Sequence, residues 1–258
     1  MCLLSFAINA HPRYRLVLAA NRDENFIRPT ATAGYWDDAP HILAGRDLEA
    51  GGTWLGVTRS GRLAALTNYY GPDEYAPDKL SRGWLITDFL NGGLSPGRYF
   101  EHLRQTGERY NGFGLVFGDS TDLHYYTNRG QSANSLSAGV HGLSNHLLDT
   151  HWPKVINIKS GLQRIVESTG VIYQEELFSL LSDRTLYPDH VLPDTGVGIE
   201  RERSLSSIFV SRAEFGTRSS TVILIGHDNR ITFLERNFDA QGNSTGTVEF
   251  HFNLKSGA

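Results

Sequence analysis

Cys2 is the single cysteine of the chain, and it stands second. With Met1 removed, a thiol and a free α-amine would belong to one residue, a nucleophile carrying its own base. The unperturbed pKa of an α-amine is about 8, so part of it is neutral near pH 7. Such a unit needs a carboxylate to orient the amine, and Asp23 and Glu24 follow an apolar run that can pair with the first strand. It needs two donors to hold an oxyanion, and Asn68 and Asn145 both follow predicted strands. A cation could lower the thiol pKa or bind a carboxylate, and Arg218 sits at another strand edge. Plainer readings stand beside each of these. A second-position cysteine can be a small apolar side chain. Asp23 and Glu24 can pair with Arg22 or Arg28 on the surface. Asparagines after strands are commonly turn residues, and Arg218 can be a solvated loop residue.

Other candidate clusters carry less. Gly51-Gly52-Thr53-Trp54-Leu55-Gly56 is glycine-rich but lacks the Gly-Lys-Ser/Thr ending of a phosphate loop. Its glycines fit a tight turn before a buried strand. Ten histidines are scattered, and His141, His146 and His151 are spaced by five, which is not a helical metal pair. No metal site is expected. His124 and His251 fall inside predicted strands and read as structural.

The elements that must position Cys2 begin with two strands, over residues 3–9 and 15–20. Leu16 to Ala20 is a continuous apolar run, which predicts burial on both faces. Asn21 to Glu24 then read as a polar strand end, and residues 25–53 as irregular. Residues 54–59 and 62–68 predict a hairpin around Ser60-Gly61. Pro72 and Pro77 mark a loop. A helix follows over 81–91, capped by Ser81, and a second runs from Pro96 to about Thr106. A hairpin over 113–117 and 123–127 turns at Asp119-Ser120-Thr121. Residues 139–144 lead to Asn145. Two more helices start at Pro153 and Tyr173, a loop covers 187–198, and strands are predicted at 205–210, 221–225, 231–233 and 248–252. Hairpins dominate and no βαβ alternation appears, which favours antiparallel sheets between helix layers.

Composition bounds the reading. The chain has 258 residues, enough for one large domain, and we take 1–258 as a single unit. Hydrophobic residues make up 40%, and a net charge of −4 argues against nucleic acid as a partner. No apolar run is long enough for a transmembrane helix. The start does not read as a secretory signal, which gives a cytoplasmic expectation.

Met1-Cys2-Leu3 followed by Asn21-Arg22-Asp23-Glu24 resembles the NRDE family, also called the transport and Golgi organisation protein 2 family. Ala44-Gly45-Arg46-Asp47, Gly51 to Gly56, Leu66-Thr67-Asn68-Tyr69, Ser81-Arg82-Gly83, Gly142-Leu143-Ser144-Asn145 and Thr217 to Thr221 fit the same pattern. The resemblance covers most of the chain, from Cys2 to about Ile225. The family is related to the N-terminal nucleophile hydrolases and within them resembles the bile-salt hydrolase and penicillin V acylase branch. That implies an α+β fold, a four-layer αββα sandwich of two antiparallel sheets between helix layers.

Carried over residue by residue, the resemblance makes Cys2 the nucleophile, Asp23 the contact of its amine, Asn68, Tyr69 and Asn145 the oxyanion and substrate groups, and Arg218 the late catalytic arginine. Asn21, Arg22 and Trp54 join Tyr69 as substrate-binding candidates. The branch usually carries an arginine just before its Asn-x-Asp segment. Here that position is Ala20, and Arg22 is displaced from it.

Three functions follow as expectations. The first is an N-terminal cysteine hydrolase acting on the amide or thioester of an amphipathic acyl substrate, with no cofactor required. The second is a non-catalytic carrier of haem or of acyl-coenzyme A and lipid in the same cleft, with Trp36, Trp54, Tyr69, Tyr70 and Trp84 at its rim; the family is associated with haem trafficking and lipid homeostasis. The third is an interaction module for trafficking without a small-molecule site. Oligomeric state is not legible.

Overall fold

The computed structural model describes residues 2–71, 76–119, 122–133, 135–168 and 170–254. Met1, Pro72 and the Ser120-Thr121 turn lie outside the described residues.

The first hairpin is β1 (Cys2–Ile8) and β2 (Tyr14–Asn25). The apolar run of β2 is buried on both faces, as its composition demands. Leu16, Leu18 and Ala20 enter one core layer, while Val17 and Ala19 enter another. The first sheet takes the order β12-β11-β10-β2-β1-β9. Its other strands are β9 (Gly139–Leu143), β10 (Phe215–Gly226), β11 (Arg230–Phe238) and β12 (Ser244–Asn253).

The second sheet takes the order β3-β4-β5-β6-β7-β8. It consists of β3 (Thr30–Tyr35), β4 (Ile42–Asp47), β5 (Leu55–Thr58), β6 (Leu63–Asn68), β7 (Phe113–Gly118) and β8 (Leu123–Thr127). Every strand pairing in both sheets is antiparallel.

One apolar layer, including Leu4, Phe6, Leu18, Leu63, Val116 and Phe233, lies between the sheets. Helices α1 (Gly83–Asn91) and α2 (Pro96–Thr106) cover the second sheet through Leu85, Phe89, Tyr99 and Leu103. Helices α3 (Pro153–Val166) and α4 (Gln174–Leu181) cover the first through Val155, Ile158, Leu162 and Phe178. The result is the four-layer αββα sandwich. Proline opens both α2 and α3, where its missing N–H costs nothing.

Four local expectations are corrected. Residues 25–53 are not irregular throughout, because they contain β3 and β4. β3 is an edge strand with a bulge between Ala31 and Gly34, so it lacks a clean alternation. The segment 205–210 is not a strand. It follows the short helix α5 (Ile199–Ser204) as buried irregular chain, so its apolar run reflects burial rather than pairing. The second strand does not stop at Ala20, because Asn21 to Glu24 lie within β2, which runs on to Asn25. Ser81 does not cap α1; the cap position is Arg82, with no side-chain cap bond.

Candidate functional site

The strand pleat sorts the candidate residues. Alternate side chains along a strand face opposite ways, so β1 sends Cys2, Leu4 and Phe6 between the sheets and Leu3 and Ala7 toward the helices. Cys2 pairs directly with Arg22 across the β1–β2 ladder, and Leu4 pairs with Ala20. Ala20 and Arg22 are two residues apart, so both share the face of the thiol. Asn21 and Asp23 take the other face, toward the helices.

Cys2 lies half-buried on the floor of a cleft of about 430 Å³ at the end of the sandwich. Burial pushes its thiol pKa up; the charge of Asp23 acts in the same direction and that of Arg22 opposes it. Arg22 is itself 5% exposed, with its guanidinium 4.1 Å over the Trp54 ring and Nη1 donating to Thr30 Oγ1 at 3.2 Å. Its Nη2 stands 3.8 Å from Glu24 Oε2. Gly45 leaves room for that indole, because a Cβ there would collide with the Trp54 ring. A second close approach closes the cleft wall: a Cβ on Gly52 would strike the backbone of Gly83 at the start of α1.

The rest of the wall is polar and charged. It includes Asn68, Glu24, Lys79, Arg82 and the Arg28–Asp47–Glu49 cluster, where Arg28 lies 2.8 Å from Asp47 and 3.1 Å from Glu49. Arg82 Nη1 donates to the carbonyl of Gly112.

Asp23 is fully buried on the opposite face and accepts from Thr217 Oγ1 at 2.7 Å. Burial raises its carboxyl pKa to about 6, opposed by the Lys154 charge and by the Thr217 bond. Lys154 is the second residue of α3. It is 5% exposed and donates from Nζ to the carbonyl of Leu205 at 3.0 Å. Burial lowers its pKa, and Asp23, Glu202 and Cys2 act to restore it. Glu202 accepts from the backbone N–H and hydroxyl of Thr195 at 2.8 and 2.6 Å.

The two sheets meet at the asparagines. Asn145 Nδ2 donates to the carbonyl of Asn68 at 3.0 Å, and the Asn145 carbonyl accepts from the Tyr70 N–H at 2.8 Å. Thr67 Oγ1 donates to the carbonyl of Ser144. Asn68 lines the charged cleft. Asn145 lines a narrow apolar slot of about 50 Å³ behind it, walled by Tyr70, Trp152, Leu192, Pro193 and Val197, with Lys154 and Glu202 among its polar members.

Several named candidates sit elsewhere. Asn21 faces the helix layer and donates to the carbonyls of Leu181 and Ile208, so it braces the sheet rather than the cleft. Tyr69 stacks on His146 and hydrogen-bonds its Nε2 at 3.0 Å. Arg218 sits at the β10 bulge between Thr217 and Ser219, and its Nη1 donates to the carbonyls of Asn25 and Arg28. Trp36 does not rim the cleft; it is buried under α1 and α2, because β4 turns that side outward. Lys154 and Glu202 were not singled out in the sequence, and Arg82 and Thr217 entered only as members of family-like stretches, without a role. For Lys154 a signal existed: a cation in the first turn of a helix opposes the macrodipole.

A profile of the family described as "Transport and Golgi organisation 2" matches residues 1–240. A relative from Mus musculus, the "Transport and Golgi organization 2 homolog", is 36% identical over 97% of this chain and 99% of its own length. The homolog from Homo sapiens is 35% identical over 99% and 100%. The chain belongs to the transport and Golgi organisation 2 family. In fold it is similar to the N-acylethanolamine-hydrolyzing acid amidase ortholog of Caenorhabditis elegans, with a TM-score of 0.51, 11% identity and coverage of 86% and 92%. It is also similar to the C2A mutant of the conjugated bile acid hydrolase from Clostridium perfringens, with a TM-score of 0.52, 8% identity and coverage of 99% and 94%. This family member therefore has a scaffold like that of the N-terminal nucleophile hydrolases. Among the described residues no helix is long and apolar enough to cross a membrane, and no group of three His, Cys, Asp or Glu side chains is arranged to hold a metal.

Proposed function

We propose that this protein is an N-terminal cysteine hydrolase that cleaves the amide or thioester of an amphipathic acyl compound once Met1 has been removed. The observation that carries this reading is the position of the chain's one thiol, on the floor of a polar cleft, opposite a buried arginine and next to the Asn68–Asn145 junction. In the reaction, Cys2 Sγ attacks the carbonyl carbon and its proton passes to the α-amine. Donors at the Asn68–Asn145 junction carry the oxyanion. Collapse breaks the carbonyl–nitrogen or carbonyl–sulfur bond, and the leaving group takes the proton from the ammonium. Water then attacks the acyl-thioester, releasing a carboxylic acid and restoring the thiol. The charged cleft suits a polar leaving group, and the apolar slot behind Asn145 suits the start of an acyl chain. The structural neighbours' names describe hydrolases of an N-acylethanolamine and of a conjugated bile acid, which is in keeping with this chemistry.

A haem carrier is favoured less. The cleft offers iron one soft donor, Cys2, and no imidazole among its described lining residues. Its charged wall is a poor match for a flat apolar ring.

The test uses protein whose N-terminus has been identified as Cys2 by intact mass, incubated with N-acyl amides and acyl thioesters of short to long chain. Cys2→Ala should lower turnover by roughly 10³-fold or more. Turnover retained in that variant would overturn the assignment.

A further inference from the structure

The two open sheets have four edges, and three of them are blunted. β3 carries the bulge between Ala31 and Gly34, and the Ala33 N–H is taken from inside by Glu235. β8 is covered by the chain that follows it: Tyr125 and Ala133 exchange N–H···O bonds of 2.8 Å, and the Leu136 N–H donates to the Leu123 carbonyl at 2.7 Å. β9 is five residues long, and Asp149 lies along its free side. There Asp149 donates its N–H to the Gly142 carbonyl and accepts the Gly142 N–H on its carboxylate. Bulges, covering chain and shortness are the means by which sheets avoid pairing edge to edge.

β12 has no such cover among the described residues. It is ten residues long and pairs with β11 alone. Its register shift falls between Ser244 and Gly246, so residues 247–253 form a regular run, and that run holds no proline, lysine or arginine. Every second residue of it turns its N–H and C=O away from β11. The pleat divides the side chains. Val248, Phe250 and Phe252 are half-buried against the central layer, with the Phe250 and Phe252 rings 5.8 and 6.3 Å from that of Tyr35. Thr247, Glu249, His251 and Asn253 are exposed on the other face, where His251 Nε2 lies 2.7 Å from Glu249 Oε1.

We propose that β12 is a surface for a second copy of this chain: two β12 strands pair antiparallel along residues 247–253 about a two-fold axis at Phe250, so that two six-stranded sheets become one. The sequence of the run selects both the occupant and the register. A two-fold axis perpendicular to the sheet keeps each face of the pleat on its own side, so outward backbone groups meet outward backbone groups. With the axis at Phe250, that residue faces its own copy, and Val248 faces the partner's Phe252. On the exposed face Glu249 stands opposite the partner's His251, and symmetry makes the pair twice. An axis at Glu249 would set two carboxylates against each other. An axis at His251 would oppose two imidazoles and leave Glu249 facing the partner's Asn253. Phe250 is also the midpoint of the run, so its register pairs the whole of it, with apolar side chains matched on one face and a carboxylate matched to an imidazole on the other. The proposal is independent of the reading of Cys2, whose strand lies four places from β12 in the sheet.

The experiment is sedimentation velocity of the full-length protein from about 1 to about 500 µM, a range that brackets the Kd on the order of 10–100 µM expected of an interface smaller than the standard size. The native chain should pass from monomer to dimer across it. His251→Glu, at an exposed position, sets carboxylates opposite each other twice and should weaken the dimer about tenfold or more. Exchanging the two residues, Glu249→His with His251→Glu, restores the pairs and should return the Kd to within about threefold of the native value. A monomer across the whole range, a dimer that His251→Glu leaves as tight as before, or one that the exchange does not restore overturns the proposal. Should either charge variant not fold, a disulfide decides. In a Cys2→Ala background, Thr247→Cys protein mixed with Asn253→Cys protein should form a covalent dimer under mild oxidation, far faster than either protein alone, because the two positions face each other across the paired strands. Equal rates in the mixture and in the separate proteins overturn the register and the proposal with it.

Discussion

Glu235 is a carboxyl closed between the two sheets, 1% exposed, with Oε1 accepting from the Ala33 N–H at 2.8 Å. The bulge in β3 leaves that N–H outside the ladder, and Glu235 satisfies it. Burial raises its pKa to about 7. A carboxyl raised in the folded state keeps its proton longer there than in the unfolded chain. Stability therefore falls as pH rises from about 4.5 toward 7, and the full cost stands above 7. Glu235→Gln keeps the acceptor and removes the charge. We expect it to add about 2–3 kcal/mol at pH 8 and almost nothing at pH 4, measured by urea unfolding at both values. An equal gain at both pH values would refute this account. Legibility at this scale was uneven. Cys2 and Asp23 stood out through residue type and order, and Asn68 and Asn145 through their place after strands. Lys154 and Glu235 did not, because a charged residue in a sequence reads as solvated until packing buries it.

At the scale of elements, the edge strand β9 is tied down by one side chain. Asp149 accepts from the Gly142 N–H at 2.8 Å and from Lys159 Nζ of α3 at 2.6 Å, and its other oxygen lies 3.0 Å from His141 Nδ1. These bonds pull its pKa down to about 2 against the effect of burial. A depressed carboxyl stabilises above its unfolded pKa, and that stability is lost as pH falls through about 4 toward 2. Asn tolerates the positive φ of 58° at this position, so Asp149→Asn isolates the charge. We expect a loss of roughly 1–2 kcal/mol at pH 7, read as a lower urea midpoint, and a much smaller difference at pH 2. The sequence announced the helices well, through Pro96 and Pro153 at first turns and the apolar spacing behind them. It hid β3 and β4, whose glycines and bulge break the period of two, and it made a strand of 205–210, where apolar residues are buried without a partner strand.

At the scale of the whole molecule, the layer between the sheets carries the architecture. Leu63 is fully buried there, from the second sheet. Leu63→Ala should cost about 2–5 kcal/mol and lower the thermal midpoint, while alkylation of Cys2 by iodoacetamide keeps its native rate at 25 °C. A changed alkylation rate would mean that the cleft depends on the central layer more directly than its position implies. Antiparallel sheets between helix layers were legible as hairpins separated by paired helices, and the four-layer form as what the family resemblance implies. What the linear order could not give is which side of the sheet each residue of Asn21-Arg22-Asp23 would take until the β1–β2 register was known.

That register has a practical consequence. Cys2 opens the β1–β2 ladder opposite Arg22, with thiol and carboxyl sent to opposite sides of the sheet. On the proposed chemistry, the free amine at the strand's end is the group that serves both. An affinity tag or fluorescent fusion placed before Cys2 would cap that amine and yield a folded protein without turnover. A cleavable leader ending immediately before Cys2 should restore it, which makes the choice of expression vector itself a reading of the mechanism.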